Sequence, residues 1–417
     1  MTDLLWPGDH RAGDRFSDEA FLRAMVAVEE AWLDALAGTG IAPPAAGKRD
    51  LQALVGAQHR EWVARESEAA GNPAAALVSL LRGVLRHEAP DAARWLHRGL
   101  TSQDVVDTAL MLCAGDAVTR ARASLRQQIG LLAALVEAHR HTPMVARTLT
   151  QHAVPTTFGL KAAGWLTGVL DAYDDLADVV LPVQVGGAGG TMAAIVELAG
   201  HLPDPVRAAT DLTLETATAL GLAPSTPWHT SRATVTRVGD AAVRCTDAWG
   251  AIANDVLTLS RPEIGEMSEG RGGGSSTLPQ KANPVLSVLV RRAALTAPQL
   301  AATLHLCAAD SVDERASGGW HAEWAALRDL LRRTVVAGEQ CTELVSELGV
   351  HADRMEQTLT AAHDAVRAEQ HSMADLAGRE PSRTYVGATD AFLEAPLARA
   401  AGVLAQPGPQ GLDGRRG

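Results

Sequence analysis

Apolar side chains recur along the middle of the chain at the spacing of one helix face. Val118, Leu125, Ile129, Leu132 and Val136 stand seven, four, three and four residues apart, and Val235, Val238, Ala242, Cys245, Trp249, Ile252, Val256 and Leu259 alternate three and four. Such seams belong to long helices packed at shallow angles in a bundle. The same period predicts long helices over 158–176, 285–308 and 323–348, with Pro298 expected to kink the second of these because it removes a backbone donor. The first hundred residues read as shorter helices. One covers 18–37, opened by Ser17 as N-cap, with Glu29 and Glu30 expected on a wetted face. Breaks with Gly and Pro follow at 38–47 and 71–73. No turn signal flanked by alternating apolar runs is present, so an all-α fold with minimal sheet is expected. The expected organisation is a helical domain over 1–108, a central long-helix bundle over 109–350, a short helical domain over 351–405 and a disordered tail over 406–417, where Gly, Pro and charge dominate.

Composition narrows the class. Of 417 residues, 47% are hydrophobic but only 4% aromatic, a bias toward Ala, Leu and Val that suits close helix packing. The net charge is −12 with no clustered Lys or Arg, which argues against nucleic-acid binding. Cys113, Cys245, Cys307 and Cys341 are far apart and read as buried thiols, so no metal site is expected. The first ten residues lack the basic end and apolar run of a signal peptide, and no stretch is apolar enough to cross a membrane; a cytoplasmic enzyme is the expectation.

Three polar segments interrupt the apolar scaffold. The first is His97-Arg98-Gly99-Leu100-Thr101-Ser102-Gln103-Asp104, in which Thr101 or Ser102 can cap the next helix and Asp104 can close a capping box on Thr101. A helix start with free amides and two hydroxyls also suits a carboxylate ligand. The second is Arg147-Thr148-Leu149-Thr150-Gln151-His152-Ala153-Val154-Pro155, dense in side-chain donors ahead of a long helix. The third spans 270–284, where a Gly run leads into Ser275, Ser276, Lys281 and Asn283 between two prolines. A flexible linker is one reading of it. The other is a loop that closes over an anion held by backbone amides and Lys281.

Gly274-Ser275-Ser276-Thr277-Leu278-Pro279-Gln280-Lys281-Ala282-Asn283-Pro284 resembles the serine loop of the fumarase/aspartase superfamily, usually written GSSxMPxKxNP, with Leu278 where Met is usual. The other two segments match that superfamily's remaining signature regions in order and spacing. Glu314-Arg315, Trp320-His321-Ala322-Glu323-Trp324, residues 186–191, Trp228-His229-Thr230 and Tyr385-Val386-Gly387-Ala388-Thr389-Asp390 resemble its cycloisomerase branch, although the C-terminal region is shorter than usual.

The resemblance implies a homotetramer whose central helices pool into one bundle, with each active site built from three subunits. It implies a small polycarboxylate substrate and no metal or organic cofactor. By resemblance Ser275 is the proton carrier, and the amides around Ser276, with Lys281 and Asn283, hold an aci-carboxylate dianion, the species that fixed donors stabilise most. Arg315, Thr101 and Ser102 are candidates for the other carboxylates, Gln151 for a donor to substrate, and His97 and His152 for catalytic groups lining the site. The expected reaction is closure of 3-carboxy-cis,cis-muconate to a carboxymuconolactone, a step of aromatic catabolism. A C–N lyase like adenylosuccinate lyase and a non-catalytic helical tetramer remain open as alternatives. Leu149 separates them: the C–N lyases carry a histidine there to protonate departing nitrogen, and leucine transfers no proton.

Overall fold

The computed structural model describes residues 3–409 apart from 271, 275–277 and 279–280. Its backbone is α1 (Asp18–Gly38), α2 (Ala57–Ala70), α3 (Pro73–Glu88), α4 (Pro90–Trp95) and α5 (Ser102–Ala138), then strands β1 (Pro143–Thr148) and β2 (Gln151–Thr157). There follow α6 (Phe158–Ala177), α7 (Ala193–Leu198), α8 (Pro205–Leu220), α9 (Ala233–Leu259), β3 (Met267–Ser268), α10 (Val285–Ala309), α11 (Gly319–Ser346) and β4 (Gly349–Val350). Helices α12 (Ala352–Ala361), α13 (His363–Leu376) and α14 (Thr389–Ala405) complete it. The all-α expectation holds, and no helix among the described residues is long and apolar enough to cross a membrane.

Local chemistry sets the helix starts. Ser17 caps α1 by accepting from the Ala20 amide at 3.1 Å, Asn72 precedes Pro73 at the start of α3, and Thr157 caps α6 by accepting from Leu160. Helices α5, α6, α9, α10 and α11 pack into the bundle. Their approach is close because α9 turns small residues toward α10. A Cβ on Gly239 would lie 2.7 Å from Leu304, and one on Gly250 2.7 Å from Ala294. These two glycines are eleven residues apart, three turns along one face. Polar groups inside the bundle are matched: Trp249 donates to Gln128 at 2.7 Å, and Gln128 donates to the Gly338 carbonyl on α11 at 3.0 Å. Helix α10 runs unbroken through Pro298.

Sheet content is minimal, as expected, though one hairpin was not foreseen, and the expectation for Glu29 is corrected. The chain does contain a hairpin, β1 with β2, whose register closes on Thr148 and Gln151. Its two turn residues, Leu149 and Thr150, both have positive φ, 48° and 70°, the turn that normally carries Asn-Gly, so the usual signal was missing from the sequence. Glu29 is not on a wetted face. It is fully buried between α1 and the turn that carries His97, while the neighbouring Glu30 is half-buried and accepts from the Leu51 amide.

Candidate active site

The first polar segment forms the turn from α4 into α5. His97 takes a left-handed φ of 61° and Gly99 one of 84°; a side chain at Gly99 would collide with Ile195. The turn is nailed from two sides, Trp32 Nε1 donating to the Arg98 carbonyl and Arg82 to the Leu96 carbonyl, each at 2.8 Å. His97 Nδ1 lies 2.6 Å from Glu29 Oε1. Burial opposes a charge on this imidazole, but the attraction and hydrogen bond of Glu29 outweigh it, so its pKa is raised.

Thr101 is the N-cap of α5, yet its hydroxyl serves another group. Arg315 donates to Thr101 Oγ1 at 2.8 Å and to the Ala188 carbonyl at 2.9 Å. Of the expected capping box the chain makes the half in which Asp104 accepts from the Thr101 amide at 2.9 Å. Asp104 also accepts from the Gly186 and Gly187 amides at 3.1 and 3.0 Å and from His229 Nε2 at 2.7 Å. Burial raises its pKa against the pull of those donors. Ser102 opens the helix beside Thr101, half-buried.

One turn deeper, Asp107 accepts from Arg232 at 2.7 and 3.0 Å and from Trp320 Nε1 at 2.8 Å. Arg232 bonds Glu323 as well and stacks on Trp228, 4.7 Å from its ring centre. Burial pushes the Glu323 carboxyl up to about 7 despite Arg232. This network joins α5, α9 and α11 beneath the loop that carries Arg315. Sequence reasoning missed Asp107, Arg232 and the pairing of Glu29. The available signal was an acid inside an apolar run, Val105-Val106-Asp107-Thr108-Ala109, which only a paired buried carboxylate tolerates.

The second segment is the hairpin. Arg147 anchors it to Glu266, which is fully buried, and beyond that anchor Leu149 is 95% exposed, with Gln151 and His152 exposed beside it. His152, Arg147, Lys161, Arg261 and Arg354 line a cavity of about 970 Å³. The third segment is closed at its base by Gly273 and Asn283, whose amides and carbonyls bond each other at 2.6 and 2.8 Å. Glu269 fastens the following helix by accepting from the Leu286 and Ser287 amides at 2.7 and 2.8 Å. Lys281 is exposed. Ser275 and Ser276 lie outside the described residues.

These groups fall at two ends of the molecule. Helix α5 starts at Thr101 and leads into the hairpin at its far end, and its 37 residues span roughly 55 Å. Helix α9 starts beside Asp107, with Arg232, and ends near Glu266, the partner of Arg147. Thus His97, Thr101, Ser102 and Arg315 cluster at one end, while Gln151, His152, Lys281 and Asn283 sit at the other. The structure does not bring the two sets together within one chain.

A bundle of this kind, carrying three polar segments in this order, defines an enzyme of the fumarase/aspartase superfamily. The chain belongs to the family described as Lyase, whose model matches residues 21–297. It is 42% identical over 385 residues to nitrosuccinate lyase of Streptomyces davaonensis, covering 89% of this chain and 79% of that one. It is 37% identical over 360 residues to 3-carboxy-cis,cis-muconate cycloisomerase of Bradyrhizobium diazoefficiens, covering 84% and 77%. The crystal structure of 3-carboxy-cis,cis-muconate lactonizing enzyme from Pseudomonas putida superposes with a TM-score of 0.77 at 26% identity, covering 94% of this chain and 97% of that one.

Proposed function

We propose that this enzyme eliminates a small, weakly basic anion from a 2-substituted succinate, with 2-nitrosuccinate as substrate and nitrite and fumarate as products. The carrying observation is Leu149, which stands exposed at the tip of the hairpin where the C–N lyases it resembles hold a proton-donating histidine. An amine leaves only with a proton from a general acid. Nitrite is the conjugate base of an acid about as strong as a carboxylic acid and departs as the anion. The 42% identity to a nitrosuccinate lyase supports the same choice.

In this reading Ser275, as alkoxide, takes the proton from the carbon beside the distal carboxylate. The electron pair enters that carboxylate as an aci-dianion, held by the amides around Ser276, by Lys281 and by Asn283. It then forms the double bond as the C–N pair leaves with nitrite. Arg315, Thr101, Ser102 and His97 hold the other carboxylate at the start of α5. Gln151 and His152 line the site from the hairpin. Since these groups lie at two ends of one chain, the working unit is an assembly, a homotetramer in which three chains build each site.

A second reading is lactone closure of 3-carboxy-cis,cis-muconate. It is supported by the 37% relative and by the same Leu149, because the attacking carboxylate is already ionised. One experiment separates the two: the purified protein is offered each compound, with nitrite and fumarate measured for the first and loss of conjugated ultraviolet absorbance for the second. Turnover of the muconate without nitrite release overturns the first reading.

A further inference from the structure

Glu29 takes no part in the reaction as drawn above, yet its placement is costly. Its carboxylate is fully buried on α1, and among the described residues only Oε1 has a hydrogen-bond partner, His97 at 2.6 Å. A carboxylate this deep is tolerated when a cation answers it. The groups that face the His97 ring are Glu29 from α1, Arg82 from α3 and Asp104 from α5, and of these only Glu29 bonds it. With Nδ1 against Glu29, the ring's Nε2 edge makes no hydrogen bond to the described chain. The side chain keeps 17% of its surface in solvent, four residues before Thr101. The turn that carries it is locked by Trp32 and Arg82, so the ring has a fixed place.

We propose that Glu29 is a positioning residue for the active site: its buried carboxylate orients His97 and keeps it an imidazolium whose Nε2–H grips a substrate carboxylate at the start of α5. His97 is then a fixed cation beside Arg315 rather than a proton acceptor, which divides its role from that of His152. The raised pKa of His97 agrees with this geometry. The dicarboxylate substrate rests on the function proposed above; the charge and orientation of His97 do not.

The test follows the His97 imidazole itself. In the intact assembly labelled with 13C at His Cε1, the resonance is assigned by its loss in His97→Gln and titrated between pH 5 and 9, roughly spanning the ordinary imidazole range. The expected result is a midpoint above that of an ordinary imidazole in the wild type and, in Glu29→Gln, one at least about a unit lower. Over the same window Glu29→Gln is expected to weaken binding of the product-like dicarboxylate fumarate about tenfold near neutrality, with kcat much less changed. Glu29→Asp, which keeps the charge, restores part of it. A wild-type midpoint at or below the ordinary imidazole value overturns the proposal even if the Gln variant fails to fold. An unchanged fumarate affinity in Glu29→Gln does so as well. A protein inert toward nitrosuccinate whose His97 titrates as stated sinks the proposed function and leaves this inference standing.

Discussion

Arg147 gives both arms of its guanidinium to Glu266, at 2.9 and 2.7 Å, and so ties the hairpin to the segment that leads into the Gly-rich loop. Glu266 is fully buried, and Arg147 bonds both of its oxygens. Removing one member of such a pair strands a charge. Arg147→Ala is expected to cost about 3–5 kcal/mol in a urea melt, and adding Glu266→Gln is expected to recover most of that loss. Equal stability of the two variants would show that the ion pair is not what holds the hairpin.

Leu149 and Thr150 occupy a turn that favours Asn and Gly. A non-glycine residue in that region carries about 1–2 kcal/mol of strain. Replacing the pair by Leu149→Asn with Thr150→Gly is expected to raise the melting temperature and, if the strained hairpin tip belongs to the proposed site, to reduce kcat/KM. A variant that is more stable and fully active would remove Leu149 from the site.

Glu323 makes stability depend on pH in a direction opposite to most carboxylates. Its folded pKa is about 7, above the ordinary 4.5, so between those values the folded state binds the extra proton. The stabilisation is complete below about pH 4.5 and is lost as pH rises toward 7, by at most ~1.4 kcal/mol per unit. Asp9, whose pKa is lowered by Arg332 although burial raises it, acts below this window. Melts of wild type and Glu323→Gln from pH 5 to 8 are expected to show the wild type's relative stability falling as pH rises, and a constant difference would contradict the assignment.

Ser275→Ala is expected to lower kcat by about two to four powers of ten with the fold intact by circular dichroism. Lys281→Met is expected to lower kcat/KM about 10- to 100-fold, raising KM as well, since in the proposed mechanism one cation serves substrate and transition state together. Wild-type kinetics in either variant would move its role to another residue, with His152 first.

How legible each part was depended on whether its signal was periodic or long-range. The seam from Val235 to Leu259 foretold α9 to its last residue, because one face of a helix repeats in sequence what it buries in space. The hairpin escaped because Leu149-Thr150 adopts a turn that its residue types disfavour, held by Arg147 and Glu266 at a separation of 119 residues. Glu29 escaped for the same reason: its partner His97 is 68 residues away, and a lone acid on a helix reads as solvated until that partner is seen. The motif positions themselves, Thr101 and Ser102 through Asn283, were visible as polar breaks in an apolar pattern. Their distribution over two ends of the bundle was not, since it follows from the course of α5 and α9 rather than from any local stretch.

In the shared-site assembly proposed above, the length of α5 makes damage at one end of a chain and damage at the other separable faults. There a chain carrying Arg315→Ala lacks the proposed anion clamp but keeps Lys281, and a chain carrying Lys281→Met has the reverse defect. Each alone is expected to form an impaired enzyme. Unfolded together in equal amounts and reassembled, they are expected to restore about a quarter of the sites, those that draw each part from the sound chain. Under that proposal two faulty genes for this protein are expected to make a working enzyme in one cell, a rescue closed to any enzyme whose site lies within a single chain.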